Sequence, residues 1–126
     1  MSSPVVIQGV FGLTAEVLKL SDMAARATVA PSAELPYLRG HLPNLPVVPG
    51  MALVDLVPRI GEAAGLCHPP VRALELARFF SPLKPGEHLS LEVDFANTTG
   101  RLRARGTIDE RELGEIVWSY DSANNA

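Results

Sequence analysis

Two adjoining segments with opposite patterns determine the predicted fold: residues 40–50, GHLPNLPVVPG, and residues 51–66, MALVDLVPRIGEAAGL. The first segment holds three prolines and two glycines, which exclude a regular helix or an internal strand. We therefore predict an ordered loop, and loops held by a rigid scaffold are a common place for chemistry. The second segment has apolar residues around most of a helical circumference, which is typical of a helix surrounded by protein.

Proline and glycine positions refine the predicted helix. Pro58 lies inside it and removes one backbone donor, so it is expected to kink or loosen the helix at a cost of about 3 kcal/mol unless packing absorbs it. Gly65 is a helix-end signal, and Pro69-Pro70 prevents continuation.

Elsewhere, apolar and polar residues alternate along the chain, as they do in half-buried strands. The predicted strands lie at residues 13–17, 25–29, 71–80, 89–95, 101–108 and 113–120. Val5-Val6-Ile7 is either an edge strand or a packed extension. These elements predict an α+β fold, in which one long buried helix packs against a curved antiparallel sheet.

One hairpin can be placed in register from the sequence alone. The tetrapeptide NTTG at residues 97–100 joins two predicted strands and is the expected loop. This register places two acidic residues opposite two arginines on one outer surface of the sheet. The predicted pairs are Asp94 with Arg103 and Glu92 with Arg105.

Length and composition limit the class of protein. With 126 residues, of which 47% are hydrophobic and 20% charged, the chain can bury one core, and we predict a single domain over residues 1–126. Within it, residues 1–11 are expected to be an N-terminal extension or edge strand and residues 121–126 a flexible tail. The formal net charge of −3 lacks the basic footprint of a nucleic-acid-binding protein.

The sequence also limits the expected location. No apolar run approaches the roughly 18 residues of a membrane-spanning helix, so no membrane segment is predicted. The first twenty residues carry one basic residue, Lys19, which argues against a signal peptide. One cysteine, Cys67, cannot form an internal disulfide, and a reducing cytoplasm is the expected compartment.

Three groups in the two opening segments suit acid–base chemistry. His41 lies in the proline-rich loop, and an imidazole can act as a base near neutral pH. Asp55 projects from an otherwise apolar helix, and a carboxyl group in apolar surroundings can stay protonated and donate a proton. Gly50 lies where the helix begins, so its N–H could hold a developing oxyanion. Together these groups suit proton abstraction next to a carbonyl with loss of a leaving group.

Structural interpretations of the same residues stay open at this point. His41 can be an ordinary loop histidine without a chemical role. Asp55, Arg59 and Glu62 fall on one stripe of the helix, which can simply be its solvated side with an i,i+4 ion pair between Asp55 and Arg59. Such a pair would favour the ionised carboxylate and weaken Asp55 as a proton donor.

The same residues resemble a known signature. Residues 35–43, LPYLRGHLP, followed by 46–50, PVVPG, are similar to the signature of hotdog-fold 3-hydroxyacyl-[acyl-carrier-protein] dehydratases. In that family an acid follows the histidine by fourteen residues, which is the position of Asp55 in this sequence. Residues 77–87, ARFFSPLKPGE, look like the family's strand and Pro-Gly turn. Leu42 departs from the usual phenylalanine, and the short length and LPY lead-in most resemble the small dehydratases of aryl-polyene pathways.

The resemblance implies a hotdog fold and dehydration of 3-hydroxyacyl thioesters on acyl carrier protein to trans-2-enoyl thioesters. It implies that His41 takes the proton next to the thioester and that Asp55 protonates the departing hydroxyl. The Gly50 N–H would polarise the thioester carbonyl. The implied substrate tunnel is lined by Leu42, Pro43, Val47, Val48, Pro49 and Met51.

The resemblance also implies partners. No metal or redox cofactor is required, because the substrate arrives on the phosphopantetheine of acyl carrier protein. The expected assembly is a homodimer whose shared active sites take the histidine from one subunit and the acid from the other, or a heterodimer with another hotdog protein. Neither nucleic acid nor a membrane is an expected partner. Two alternatives remain: a hotdog acyl thioesterase, and a non-catalytic hotdog subunit that binds acyl chains or a partner hotdog protein. Pro58 and Arg59 keep the second alternative open, because both could compromise Asp55.

Overall fold

The computed structural model describes residues 3–9, 13–29, 50–84 and 86–121. Seven strands and one helix occur within these ranges. They are β1 (Val5–Gln8), β2 (Thr14–Lys19), β3 (Ala24–Val29), α1 (Gly50–Ala63), β4 (Val71–Phe79), β5 (Leu89–Ala96), β6 (Arg101–Ile108) and β7 (Arg111–Tyr120). The predicted strands are confirmed, and β1 is an edge strand. Of the predicted flexible tail, all but Asp121 lies outside the described residues.

The strands form one antiparallel sheet in the order β1-β2-β3-β5-β6-β7-β4. The predicted hairpin register is confirmed, because Asp94 pairs with Arg103 and Glu92 with Arg105 across β5 and β6. The arginines nevertheless form their ion pairs on the other side, where both contact Glu115 of β7. Glu115 lies opposite Arg105 in the β6–β7 register, and the long Arg103 side chain reaches it diagonally.

Helix α1 packs against the sheet and supplies the centre of the core. Its fully buried apolar side chains meet inward-facing residues of the strands. Burial of one large aliphatic or aromatic side chain contributes about 1.5–3 kcal/mol of hydrophobic free energy. The residues on the helix side are Ala52, Leu53, Leu56, Val57 and Ile60, and those on the central strands include Leu91, Val93, Phe95, Leu102, Ala104 and Ile116. Within the described ranges, no helix is long and apolar enough to cross a membrane.

The helix ends earlier than its apolar pattern predicts. It stops at Ala63, so that Leu66, although buried, lies beyond it. Gly65 adopts a left-handed φ of 75°, as its position as an end signal predicted. The N–H of Leu66 then donates to the carbonyl of Gly61 at 2.9 Å, and the Gly65 N–H donates to Glu62 at 3.1 Å. This double closure satisfies carbonyls that the last turn leaves free.

Candidate active site

A cavity of about 320 Å³ lies against the first turn of α1. Its wall is mostly apolar and comes from the helix start, the end of β4, the loop that follows and one residue of β7. The lining residues are Gly50, Leu53, Phe79, Phe80, Ser81, Pro82, Leu83 and Leu113. The first four N–H groups of a helix have no partner inside it, and the positive end of the helix dipole lies there. The cavity therefore combines apolar walls with backbone donors at one end.

The Phe79 ring packs directly on Gly50. A Cβ atom at Gly50 would lie 3.0 Å from Cε2 and 3.3 Å from Cζ of that ring, closer than side chains normally approach. Glycine at this position therefore allows the aromatic wall to lie against the helix start. The sequence block at residues 77–87 contains Phe79, but its pattern gave that residue no role, since the contact with Gly50 depends on the tertiary fold.

The loop after β4 is fixed by one carboxylate. Glu87 accepts a hydrogen bond from the backbone N–H of Lys84 at 2.8 Å and from Arg111 Nη2 at 3.0 and 3.2 Å. Arg111 Nη2 also donates to the carbonyl of Pro82 at 3.2 Å, on the cavity wall. The Lys84 bond first, and then Arg111, lower the pKa of the Glu87 carboxyl. This clamp could not be predicted from the sequence, because Arg111 lies far along the chain on another strand.

Asp55 lies further along α1, with its side chain 38% exposed. Arg59 Nε donates to Asp55 Oδ2 at 2.8 Å, so the predicted i,i+4 ion pair is confirmed. Asp55 does not line the cavity next to Gly50. Five helical positions separate the two residues, a rotation of about 140° at 3.6 residues per turn. The described part of one chain thus presents the carboxylate and the cavity on different sides of the helix.

Glu62 does not lie on a solvated side of the helix, as one interpretation of the sequence had it. Its Oε2 atom accepts a hydrogen bond from the Tyr120 hydroxyl of β7 at 2.8 Å, and the side chain is half-buried. Cys67 is buried next to this pair, and its burial raises the pKa of the thiol to about 11. The described residues contain no group of three His, Cys, Asp or Glu side chains arranged to hold a metal ion.

The predicted base lies outside the described residues, as do five of the six predicted tunnel residues. These are His41, and Leu42, Pro43, Val47, Val48 and Pro49. Met51, the remaining tunnel residue, is 75% exposed and does not line the cavity next to Gly50. The structure thus brings Gly50 together with an apolar cavity, and the roles of His41 and the tunnel residues stay predictions.

Comparisons with known proteins agree on one family. The family model described as "ApeI-like: ApeI dehydratase" matches residues 18–113. The chain is 32% identical over 96 residues to 3-hydroxyacyl-[acyl-carrier-protein] dehydratase FabZ of Thermomicrobium roseum, covering 67% of this chain and 64% of that relative. It is 33% identical over 94 residues to the FabZ of Bacillus subtilis, covering 67% of each. The match therefore spans less than two thirds of the length of the first relative.

A solved structure supports the fold. The dehydratase heterocomplex ApeI:P from Xenorhabdus doucetiae contains a chain that superposes with a TM-score of 0.74, covering 94% of this chain and 97% of that one. The sequences are 21% identical, so this likeness concerns the fold. The α+β hotdog fold predicted from the sequence is confirmed.

Proposed function

Because this chain belongs to the ApeI-like dehydratase family, we propose that it removes water from 3-hydroxyacyl thioesters carried on acyl carrier protein, giving trans-2-enoyl thioesters. The observation that carries this proposal is the apolar cavity against the first turn of α1, on the same helix as Asp55. Apolar walls suit an acyl chain, and the N–H groups of a first helical turn suit a thioester oxygen. The FabZ relatives support the same substrate class.

The proposed chemistry assigns one step to each group. His41 takes a proton from the carbon next to the thioester, and the electron pair moves toward the carbonyl oxygen. The Gly50 N–H stabilises the negative charge that develops there. The bond between C3 and its hydroxyl then breaks, Asp55 gives that oxygen a proton, and water leaves as the C2–C3 double bond forms. Proton exchange with solvent restores the neutral histidine and the protonated acid.

The positions of Gly50 and Asp55 support a site shared between subunits. One chain presents them on different sides of α1, so a second subunit is needed if both are to meet one substrate. Strand β4 supports such an assembly, because it ends the sheet and most of its side chains are exposed. Leu74 and Phe79 on this strand are 43% and 39% exposed, and unpaired apolar edges favour association with another strand.

We therefore propose a homodimer, with a heterodimer as the alternative because the structural neighbour is named as a heterocomplex. Acyl carrier protein is the proposed substrate-bearing partner, since the relatives are named for that substrate. A cytoplasmic location completes the proposal, and the buried free thiol of Cys67 is compatible with a reducing compartment.

The ion pair between Arg59 and Asp55 favours a second candidate function. A carboxylate held by an arginine at 2.8 Å is already engaged, which suits a hotdog subunit that binds acyl chains or a partner without catalysis. About half of the Arg59 side chain is exposed, and exposed pairs of this kind contribute only about 0–1 kcal/mol. So weak a pair can open when substrate binds, which leaves Asp55 able to take up the proton that it gives to the departing hydroxyl. Dehydration therefore remains the favoured function.

Intact-mass analysis distinguishes the two functions. A 3-hydroxyacyl carrier protein is incubated with the wild-type protein, with His41→Ala and with Asp55→Asn. We expect loss of one water from the acyl arm with the wild type, and a rate about 10²- to 10⁴-fold lower with either variant, which is the usual contribution of a positioned acid or base.

Matched controls are His88→Ala and Asp94→Asn, which make the same chemical changes at exposed positions away from α1. Both controls should dehydrate at the wild-type rate. An acyl arm of unchanged mass with aliphatic and aromatic substrates would favour the binding subunit, and release of the free acid would identify a thioesterase.

A further inference from the structure

Pro58 leaves one carbonyl of α1 without its helical partner. In a regular helix the N–H of residue 58 donates to the carbonyl of Val54, but the proline nitrogen carries no hydrogen. The proline ring also crowds that carbonyl, which lies four residues earlier. Pro58 is buried and Val54 is half-buried against the core, so an unpaired carbonyl here would be costly.

The sheet supplies the missing donor. Trp118 Nε1 on β7 donates to the Val54 carbonyl at 2.9 Å. Trp118 is paired with Leu102 on β6 and packs against the core, so its indole lies on the face of the sheet that α1 covers. The helix continues through Pro58 to Ala63.

We propose that Trp118 is a positioning residue for Asp55, through this replacement of the lost backbone bond. The Val54 carbonyl and the Asp55 amide belong to one planar peptide unit. An indole that fixes the direction of the carbonyl therefore fixes the plane from which the Asp55 side chain projects. The proposal rests on the proposed function, in which Asp55 protonates the departing hydroxyl.

A thermodynamic cycle tests the bond without reference to activity. Unfolding by urea is measured for the wild type, Trp118→Phe, Pro58→Ala and the double variant. Trp118→Phe should raise the unfolding equilibrium constant about tenfold when Pro58 is present, because the Val54 carbonyl loses its donor. In the Pro58→Ala background the new N–H can donate instead, and the packing loss common to both backgrounds cancels in the cycle. In that background the bond from Trp118 should no longer contribute. The effect of Trp118→Phe on the unfolding equilibrium constant should therefore differ severalfold between the two backgrounds.

Tyr120→Phe is the matched control, because it removes another hydrogen bond from β7 to α1, the one to Glu62. Its effect should be the same in both backgrounds. Equal effects of Trp118→Phe in the two backgrounds would overturn the proposed replacement of the backbone bond.

The single tryptophan also allows a direct observation of the bond. The indole N–H gives one cross-peak in a nitrogen–proton spectrum, and we expect it to exchange slowly with solvent. Exchange as fast as that of free indole would contradict the bond.

Turnover kinetics separate positioning from simple support of the fold. Trp118→Phe should lower kcat for dehydration about tenfold with little change in KM, since a displaced acid affects the transition state rather than binding. Adding Pro58→Ala should restore most of kcat. An unchanged kcat in Trp118→Phe would overturn the positioning role. If the wild type shows no dehydration at all, the proposed function fails, while the unfolding cycle still decides whether the bond exists.

Discussion

The first turn of α1, Gly50–Leu53, and the turns that follow it, Val54–Ala63, are held in different ways. The N-terminal turn lies against apolar surface, with the Phe79 ring on Gly50 and the cavity beyond. The later turns are tied to β7 by polar bonds, from Trp118 to Val54 and from Tyr120 to Glu62. A wall of aromatic and aliphatic groups leaves space for a ligand next to N–H groups that have no partner within the helix, whereas side-chain hydrogen bonds fix a direction. We propose that the first turn accommodates substrate and that the later turns orient the acid.

Adding a side chain at the first turn, next to the cavity, should have the largest effect on dehydration. Gly50→Val places a branched side chain where the Phe79 ring lies 3.0 Å from the position of Cβ. Because Gly50 and the Phe79 ring both line the cavity, the added side chain changes its shape. We expect dehydration to fall about 100-fold, as misplacement of substrate by about 1 Å can do. The measurement is the rate at which Gly50→Val and the wild type remove water from a 3-hydroxyacyl carrier protein.

The control is Ala63→Val, a comparable enlargement at the exposed far end of the same helix. Both variants should fold, as shown by their far-ultraviolet circular dichroism. Wild-type turnover in Gly50→Val would mean that the cavity is not the substrate site.

Releasing the loop that closes the cavity should have a moderate effect. Glu87→Gln removes the charge that Lys84 N–H and Arg111 engage, and we expect the free energy of unfolding to fall by about 1 kcal/mol at pH 7. The folded-state pKa of Glu87 is lowered, so its contribution is fully present above the unfolded pKa of about 4.3 and is lost as pH falls through the folded value. Urea unfolding at pH 7 and in acid should therefore show a difference between wild type and variant only near neutral pH. A difference that persists in acid would contradict the role of this charge.

Changing the ion pair in the later turns should have a small effect. Arg59→Met removes the bond to Asp55 Oδ2 and keeps the apolar stem, so stability should change by no more than about 1 kcal/mol. Dehydration should stay within about threefold of the wild type, because so weak a pair can open when substrate binds. A loss of more than tenfold in kcat would show that Arg59 itself takes part in the reaction.

The smallest effect concerns Cys67, which is buried next to Tyr120 and Glu62 beyond the end of α1. Its burial raises the pKa of the thiol to about 11, so little thiolate is present at pH 9. A thiol reagent should label the folded protein slowly at pH 9 and rapidly after urea unfolding. Rapid labelling of the folded protein would mean that the core next to Tyr120 opens readily.

The sequence predicted local features well and long-range side-chain bonds not at all. Alternation and the NTTG loop predicted the β5–β6 register, since both act between near neighbours. The ion pairs of Arg103 and Arg105 with Glu115 were not predicted, because Glu115 lies on β7, on the other flank of β6. The helix end was placed too late, since the apolar pattern continues to Leu66 after Gly65 has stopped the helix.

The candidate site shows the same difference between features that a local pattern predicts and bonds between distant residues. Gly50 and Asp55 were predicted as site residues from loop chemistry, from a lone acid on an apolar helix and from the family signature. The structure places Gly50, but not Asp55, on the cavity. The bond from Trp118 to Val54 and the clamp of Arg111 on Glu87 join residues 64 and 24 positions apart. No local pattern encodes such pairs. Pro58 was the available signal for Trp118, because a buried proline within a helix requires a donor for the carbonyl that it releases.

The most direct test of the shared site is to mix two inactive variants. His41→Ala and Asp55→Asn are unfolded together, refolded, and assayed for loss of water from a 3-hydroxyacyl carrier protein, each variant alone being the control. In a mixed dimer with shared sites, one site regains both unaltered residues, so random pairing should restore about a quarter of the wild-type rate. A mixture as inactive as its components, alongside an active wild type refolded in the same way, would contradict a site built from His41 of one subunit and Asp55 of the other.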